Sequence, residues 1–283
     1  MKLVRHGHSG EEKPGILDEN SNIRDLSHVI PDINPDALAK EEFLRALKSL
    51  DLNALPFVEK NVRLGACLHK PGKVICVGYN SKLHAMEMGV TPLVNDMVVF
   101  LKPSSAVCGP NDPIFHTRHT KKLDWEAELA IVIAKQGKYI SKSDAKNYIF
   151  GYACMNDLSE RYLQLETCDT QYTKGKGFDN AAPIGPYLVT KDEISQSNNL
   201  HIQLWVNNQL RQNFNTVDYI HNDEAIVSYL SQYFTLYPGD IISMGSAPGS
   251  ARSWGEQYLK PGDKVRLSIE GLGTQEQDVI VEP

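Results

Sequence analysis

Short apolar runs separated by turn residues set the pattern of the chain from about residue 70 onward. Each run is rich in Val, Ile, Leu or Phe and is bounded by Gly, Pro, Asn or Asp, which is typical of β-strands. The runs cover residues 73–78, 97–101, 128–134, 148–154, 185–190, 200–207, 240–244 and 264–270. Regular helices do not alternate with them, so the pattern favours a β-rich α+β domain over a doubly wound sheet.

Helical periodicity is confined to a few places. Asn34 supplies an N-cap and Pro35 a first-turn proline, and the apolar residues from Leu38 to Leu50 then share one helical face. Shorter helices are predicted at 159–166 and 222–234. The predicted fold is therefore formed mainly by strands, with a few helices added to them.

The pattern of apolar and polar residues changes near residue 70. The leading part has a polar start containing Gly and Pro, then the helix, and is broken again at Pro56 and Gly65. We therefore expect a small N-terminal α/β module over residues 1–68 and a larger domain over residues 69–283.

Composition describes an ordinary globular protein of 283 residues, with 41% hydrophobic and 23% charged residues. The net charge of −6 and the lack of a Lys/Arg-rich stripe argue against nucleic acid as a partner. No apolar run approaches the ~20 residues needed to span a membrane, and no signal-peptide core is visible. Five cysteines without CxxC spacing argue against disulfides and zinc, so we expect a reduced, cytoplasmic compartment.

Candidate chemistry begins in the segment DWEAEL at residues 124–129. Side chains alternate faces along a strand, so Glu126 and Glu128 are expected to point the same way. With Asp157, which follows a later strand run, they would form an all-oxygen site suited to Mg²⁺, Mn²⁺ or Ca²⁺. The alternative is a solvated strand face for the two glutamates and a turn or helix cap for Asp157.

A second motif lies at the N-terminus, where residues 3–9 read LVRHGHS. This resembles the phosphate-binding turn of the histidine phosphatase family. The residues that follow, GEEKPG, are a poor start for the helix which that family needs, and a tripeptide match is weak evidence. We therefore expect His6 and His8 to be ordinary surface residues.

A longer series of motifs appears in one order along the chain. They include KVICVGYN at 73–80, HAME at 84–87, FLKP at 100–103, DWEAEL at 124–129, NDLSER at 156–161, KGKGFD at 174–179, PIGP at 183–186, PGDII at 238–242 and EGLG at 270–273. Over about residues 70–283 the chain resembles the fumarylacetoacetate hydrolase family, nearest to the branch of 2,4-diketo-3-deoxy sugar acid hydrolases, acylpyruvases and proteins labelled ureidoglycolate lyase. The resemblance implies a β-roll catalytic domain, a divalent metal and a homodimer.

The resemblance also assigns roles to residues. It implies metal ligands at Glu126, Glu128 and Asp157, holding Mg²⁺, or Mn²⁺, with Ca²⁺ as a substitute. It implies a general-base pair at His84 and Glu87, whose spacing puts both on one face of a helical turn. It implies catalytic or substrate contacts at Lys176, Gln164, Arg161, Tyr79, Lys102 and Ser246. Without the resemblance, the alternatives are a surface-loop histidine, a solvated lysine and an exposed helix face.

One stretch departs from the family pattern. A Thr-Gly-Thr-Pro turn is usual before the last strands, whereas this chain has MGSAPG at 244–249 followed by SARSW at 250–254. Ser246 keeps a hydroxyl, but the proline is displaced by one residue. The metal ligands are thus intact, while the substrate pocket is altered.

The implied reaction is hydrolysis of a C–C bond in a 2,4-diketo acid, which releases pyruvate and a carboxylic acid. His84, oriented by Glu87, would activate water, and Lys176 and Gln164 would face the oxyanion. Two other reactions use the same site, namely decarboxylation of an oxaloacetate-type acid and enol–keto isomerisation. A further alternative is a metal-binding relative whose altered loop has lost catalysis. The expected partner is a small 2-oxo acid.

Overall fold

The computed structural model describes residues 1–167 and 170–283. Its strands are β1 Lys2–His6, β2 Lys13–Leu17, β3 Ile23–Asp25, β4 Val74–Gly78, β5 Val98–Lys102, β6 Val107–Cys108, β7 Ile114–His116, β8 Leu123–Asp124, β9 Ala127–Ile133, β10 Ile149–Asn156, β11 Ser159–Glu160, β12 Ala182–Pro183, β13 Leu188–Thr190, β14 His201–Val206, β15 Gln209–Asn215, β16 Ile241–Ser243, β17 Lys264–Ile269 and β18 Gly273–Val281. Its α-helices are α1 Pro35–Leu38, α2 Phe43–Lys48, α3 Lys82–Glu87, α4 Tyr172–Lys176 and α5 Asp223–Tyr233. The predicted α+β class is confirmed, and every predicted strand run contains a strand.

A nine-stranded mixed sheet forms the centre of the molecule. Its order is β3-β2-β1-β13-β10-β9-β16-β4-β5, and its neighbours are antiparallel except β16 and β4. Every residue of β9 and β10 is buried, which explains why these strands read as continuous apolar runs rather than as alternating ones. This sheet carries the strand ends that build the candidate site.

A second sheet of five strands, in the order β15-β14-β17-β18-β7, packs its apolar side inward. Burial alternates along β14 and β17, with Ile202, Leu204, Val265 and Leu267 buried and their neighbours more exposed. Such alternation is expected of an antiparallel sheet with one face on the core. Two-stranded ladders, β8 with β11 and β6 with β12, complete the strands.

The N-terminal segment, residues 1–68, contains three strands, β1 to β3, that its polar sequence did not predict. β1 pairs with β13, so this segment extends the nine-stranded sheet. His8 is exposed as expected, but the prediction of a surface His6 is wrong, because its side chain lies on buried β1 and is 5% exposed. The division at residue 68 remains a proposal, with the sheet shared across it.

Two helical predictions need correction. The helix expected after Asn34 is split into α1 and α2, and the break carries a bond from the Phe43 amide to the Lys40 carbonyl. At 159–166, the first two residues form β11 and pair with β8, and a π-helical turn follows at Tyr162–Glu166. The Glu160 carboxylate accepts the amides of Lys121, Lys122 and Leu163, which holds this irregular backbone in place. α5 matches its prediction closely.

No helix among residues 1–167 and 170–283 is long and apolar enough to cross a membrane. The four cysteines of this part of the chain, Cys67, Cys76, Cys108 and Cys154, are buried free thiols. Cys168, the fifth cysteine of the sequence, lies outside the described residues.

Candidate active site

Three buried carboxylates meet at one edge of the nine-stranded sheet. Because β9 and β10 are antiparallel, with Glu128 opposite Met155, the start of β9 lies beside the end of β10. Glu126, Glu128 and Asp157 therefore converge, and one oxygen from each lies within 4.8 Å of the others. Their exposures of 4%, 2% and 1% exclude the alternative of a solvated strand face.

Glu128 is held from the side of β16. One carboxylate oxygen accepts from the Ser243 hydroxyl at 2.5 Å and from the Gly245 amide at 3.0 Å. Gly245 has φ of 104°, and a Cβ there would lie 2.8 Å from the Asn80 Cβ, so only glycine suits this approach. Burial and the neighbouring Asp157 and Glu126 raise the pKa of Glu128 to about 8.

Two cations pair with Glu126. The Lys176 ammonium, on the last residue of α4, lies 2.5 Å from Glu126 and 2.7 Å from Asp157. Arg161 donates to Glu126 at 2.6 Å and to Asp124 at 2.8 Å. Burial alone would lower the pKa of each cation, but the facing carboxylates outweigh it and raise both values. Burial would raise the pKa of Glu126, yet Arg161 and Lys176 hold it well below its usual range.

Lys102 lies behind the carboxylates rather than in front of them. Its ammonium donates to Asp157 at 2.5 Å and to the Leu158 carbonyl at 3.1 Å, and its side chain is 0% exposed. The structure thus places Lys102 as a support for Asp157. Lys102 is not among the residues that line the cavity, and the direct substrate contact that the resemblance implied stays a prediction.

His84 and Glu87 occupy one face of α3, as their spacing predicted. The Ser81 hydroxyl caps the helix, His84 Nδ1 lies 3.0 Å from Glu87, and His84 Nε2 lies 3.6 Å from Glu126. Tyr79, whose φ is 56°, stacks on the imidazole with ring centroids 6.0 Å apart. Burial lowers the pKa of His84, but bonds to Glu126 and Glu87 outweigh it and raise the pKa to about 9.

A small cavity of about 20 Å³ separates these groups, which is room for about one water. Its walls include the predicted Tyr79, His84, Glu126, Glu128, Asp157, Arg161, Gln164, Lys176 and Ser246. Gln164 accepts from Arg161 at 3.0 Å, and the Ser246 hydroxyl accepts from Gln212 at 3.1 Å. The structure therefore brings together all the predicted residues except Lys102 and Glu87, which stand directly behind them.

Two aromatic residues that line the cavity, Phe100 and Tyr172, were not predicted as site residues from the sequence. Their rings meet edge to face at 5.1 Å, and the Tyr172 hydroxyl lies 3.3 Å from that of Tyr79. Tyr172 precedes Lys176 by four residues, a helical spacing that could have revealed it. Phe100 sits in an apolar strand run and gave no such signal.

The charges of the cluster bear on whether it can hold a metal. Among the described residues, the cluster contains five carboxylates, those of Glu87, Asp124, Glu126, Glu128 and Asp157. It also contains three permanent cations, Lys102, Arg161 and Lys176. With His84 neutral, five negative and three positive formal charges leave minus two. Protons on Glu128 and His84, both of raised pKa, can cover that charge, and so can one divalent cation. The all-oxygen donor set fits a hard divalent ion.

The sequence and the fold match known proteins over nearly their whole length. The family model described as fumarylacetoacetate (FAA) hydrolase C-terminal matches residues 73–280. A 2,4-didehydro-3-deoxy-L-rhamnonate hydrolase of Sphingomonas sp. is 41% identical over 281 residues, covering 99% of this chain and 96% of the relative.

Two solved structures each cover 100% of both chains. A fumarylacetoacetate hydrolase of Exiguobacterium antarcticum is 31% identical with a TM-score of 0.87. A maleylpyruvate hydrolase of Sphingobium sp., in complex with manganese(II) ion and pyruvate, is 27% identical with a TM-score of 0.84. This chain therefore belongs to the fumarylacetoacetate hydrolase family, whose enzymes act on carbon–carbon bonds of keto acids.

Proposed function

We propose that this enzyme is a divalent-metal-dependent hydrolase that cleaves a C–C bond in a 2,4-diketo acid and releases pyruvate and a carboxylic acid. One observation carries the proposal. Three buried carboxylates converge within 4.8 Å beside His84, whose Nε2 lies 3.6 Å from Glu126. A metal-ligand set and an imidazole thus face one cavity, and a bound divalent cation would favour the neutral imidazole that hydrolysis of a chelating keto acid requires.

Glu126, Glu128 and Asp157 would hold Mg²⁺ or Mn²⁺, with Ca²⁺ as a substitute. The manganese and pyruvate bound by the maleylpyruvate hydrolase support this choice of metal and of product. When bound, such an ion supplies a Lewis acid for the 2-oxo acid end of the substrate and offsets its developing negative charge. The three carboxylates thus fix where the pyruvate half of the substrate lies.

His84 is the general base in this proposal. Its Nδ1 faces Glu87, so its Nε2 points toward the cavity and Glu126. Nε2 takes a proton from water as the water oxygen bonds to C4, the distal carbonyl carbon. The C3–C4 bond then breaks, and the proton returns to C3. Water plus the diketo acid thus becomes a carboxylic acid plus pyruvate, with atoms balanced.

The other walls bind and orient the substrate. Lys176 and the Gln164 amide face the oxygen on which charge develops at C4, and loss of one such donor typically costs ~100-fold or more in rate. Arg161 holds Glu126 and Gln164 in place and would contact a substrate carboxylate. Tyr79 and Ser246 line the remaining wall, where the tail of the substrate would lie.

The relative that acts on 2,4-didehydro-3-deoxy-L-rhamnonate supports a deoxy sugar acid as substrate, because it aligns with this chain end to end. We further propose a homodimer, as the family resemblance implies, in the cytoplasm, in keeping with the free thiols of the four described cysteines.

The test is pyruvate release from a panel of acylpyruvates and 2,4-diketo-3-deoxy sugar acids, with Mg²⁺, with Mn²⁺ and with EDTA. Metal-dependent pyruvate from one of them is the expected result. Glu126→Ala should abolish it, whereas Glu276→Ala, which removes an exposed carboxylate paired with Lys264, should not. A fully active Glu126→Ala variant would overturn the assignment. Carbon dioxide from oxaloacetate, or isomerisation without pyruvate, would instead identify a decarboxylase or an isomerase.

A further inference from the structure

The loop that departs from the family pattern contacts the base pair of the active site. The Gly249 amide donates to Glu87 Oε1 at 2.8 Å, and the Ser253 hydroxyl donates to the same oxygen. The other oxygen, Oε2, lies 3.0 Å from His84 Nδ1. One side of the Glu87 carboxylate thus faces the loop and the other faces the imidazole.

The loop itself is tied to the strand segment that carries the acidic residues. The Ala251 amide donates to Asp124 at 2.8 Å, and the Trp125 indole donates to the Gly249 carbonyl at 3.1 Å. Within the loop, the Ser253 amide donates to the Ser250 carbonyl at 3.0 Å. The donors that reach Glu87 are therefore fixed relative to Asp124, two residues before Glu126.

We infer that Ser253 is a positioning residue for His84, acting through Glu87. A glutamate on the six-residue helix α3, with its side chain 16% exposed, has several rotamers open to it unless donors hold one of its oxygens. With Oε1 held by Ser253 and Gly249, Oε2 is presented to Nδ1, and Nε2 is aimed at Glu126. The unusual SARSW segment thus supplies a contact that orients the base.

The side-chain environment of Ser253 suits this role. The residue is exposed, so loss of its hydroxyl leaves no buried group unpaired on its own side. Gly249 still donates to Glu87 when the hydroxyl is gone, so the effect is a partial loss of orientation. Ser250 offers a matched control, because its hydroxyl is buried and has no partner among the described residues.

The kinetic test rests on the proposed function and uses whichever diketo acid the panel identifies. Ser253→Ala should lower kcat about tenfold, as expected for loss of one hydrogen bond to a charged group, with KM and metal affinity unchanged. Ser253→Thr, which keeps the hydroxyl, should restore kcat, and Ser250→Ala should match the wild type. In a Glu87→Ala background, Ser253→Ala should have no further effect. Equal losses in both backgrounds would overturn the inference.

A second measurement needs no substrate, so it separates this inference from the proposed function. Nine histidines are present, and ¹⁵N-histidine NMR can follow the imidazole of each, with His84→Gln identifying its signals. The hydrogen-bonded Nδ1 proton of His84 should be protected from exchange in the wild type, in Ser253→Thr and in Ser250→Ala. It should exchange faster in Ser253→Ala. An unchanged signal in that variant would refute a positioning role even if no substrate were ever found.

Discussion

Metal binding to this site should displace protons, and the number displaced can be worked out from the cluster. The pKa of Glu128 is raised to about 8 and that of His84 to about 9, so both hold a proton at pH 7 in the metal-free protein. A carboxyl with a pKa of 8 is ~90% protonated at pH 7. A divalent ion needs Glu128 as a carboxylate, and it opposes the charge on the nearby imidazolium.

The expected release at pH 7 is therefore about one proton from Glu128, rising to about two if His84 also becomes neutral. The direction in which metal affinity changes with pH follows from the raised pKa values. Below pH 8 a proton competes with the metal for Glu128, so affinity should increase with pH up to about 8. The increase should approach tenfold per pH unit for each proton displaced, and it should flatten above the pKa values.

Calorimetric titration with Mn²⁺, repeated in buffers of different ionisation enthalpy, measures the proton count directly. His84→Gln should reduce the release to that of Glu128 alone, whereas Glu276→Ala, on the exposed ion pair with Lys264, should leave it unchanged. Release below ~0.3 protons at pH 7, with metal bound, would refute the reasoning, because Glu128 would then already be ionised.

Two further predictions concern the metal-free protein. Lys176→Met removes the buried cation between Glu126 and Asp157 and should cost about 3–5 kcal/mol, or about 5–8 °C in Tm, in EDTA. The matched surface variant, Lys48→Met, breaks a half-exposed pair with Asp192 and should change Tm little; equal shifts would contradict the burial argument. Groups whose pKa is raised on folding lose their stabilisation as pH rises, so the Tm in EDTA should fall between pH 6 and pH 9. Saturating Mn²⁺ should remove that fall, and a flat profile in EDTA would argue against the two raised pKa values.

The acidic motif and the His84–Glu87 pair could be predicted because each is encoded locally. Strand alternation is enough to put Glu126 and Glu128 on one side, and helical spacing is enough to align His84 with Glu87. The continuous runs of apolar residues in β9 and β10 likewise predict strands in the middle of a sheet. These features depend on neighbours in the chain, which a single sequence displays.

Features that depend on distant partners could not be predicted in the same way. β2 contains Pro14, which weakens a strand prediction, yet it forms because β1 pairs with it and with β13. The burial of His6 follows from the same pairing. Lys102 reads as one more polar residue at a strand end, and only the packing of β5 against Asp157 shows that its ammonium supports a carboxylate.

The loop at 249–254 shows why a departure from a family pattern does not by itself indicate lost function. In the sequence, the proline that precedes this segment is displaced by one residue, and SARSW at 250–254 follows it. In the fold, its backbone still meets Asp124, and its new hydroxyl meets Glu87. With the positioning role inferred for Ser253, the changed loop would keep His84 oriented, which favours a change of substrate over a loss of catalysis.

The charge pattern also explains how such an acidic site can fold before a metal arrives. Three buried carboxylates at this distance would repel one another strongly in a dry interior. Lys102, Arg161 and Lys176 match these three charges, and the two further carboxylates, Glu87 and Asp124, leave a charge small enough for two protons to cover. The site can therefore balance its charge without a metal, unlike small zinc domains, and we expect the protein to fold in EDTA. In the proposed function, a divalent ion would replace the proton on Glu128, and that on His84 if the imidazole becomes neutral, so the ion would enter a formed site by exchange.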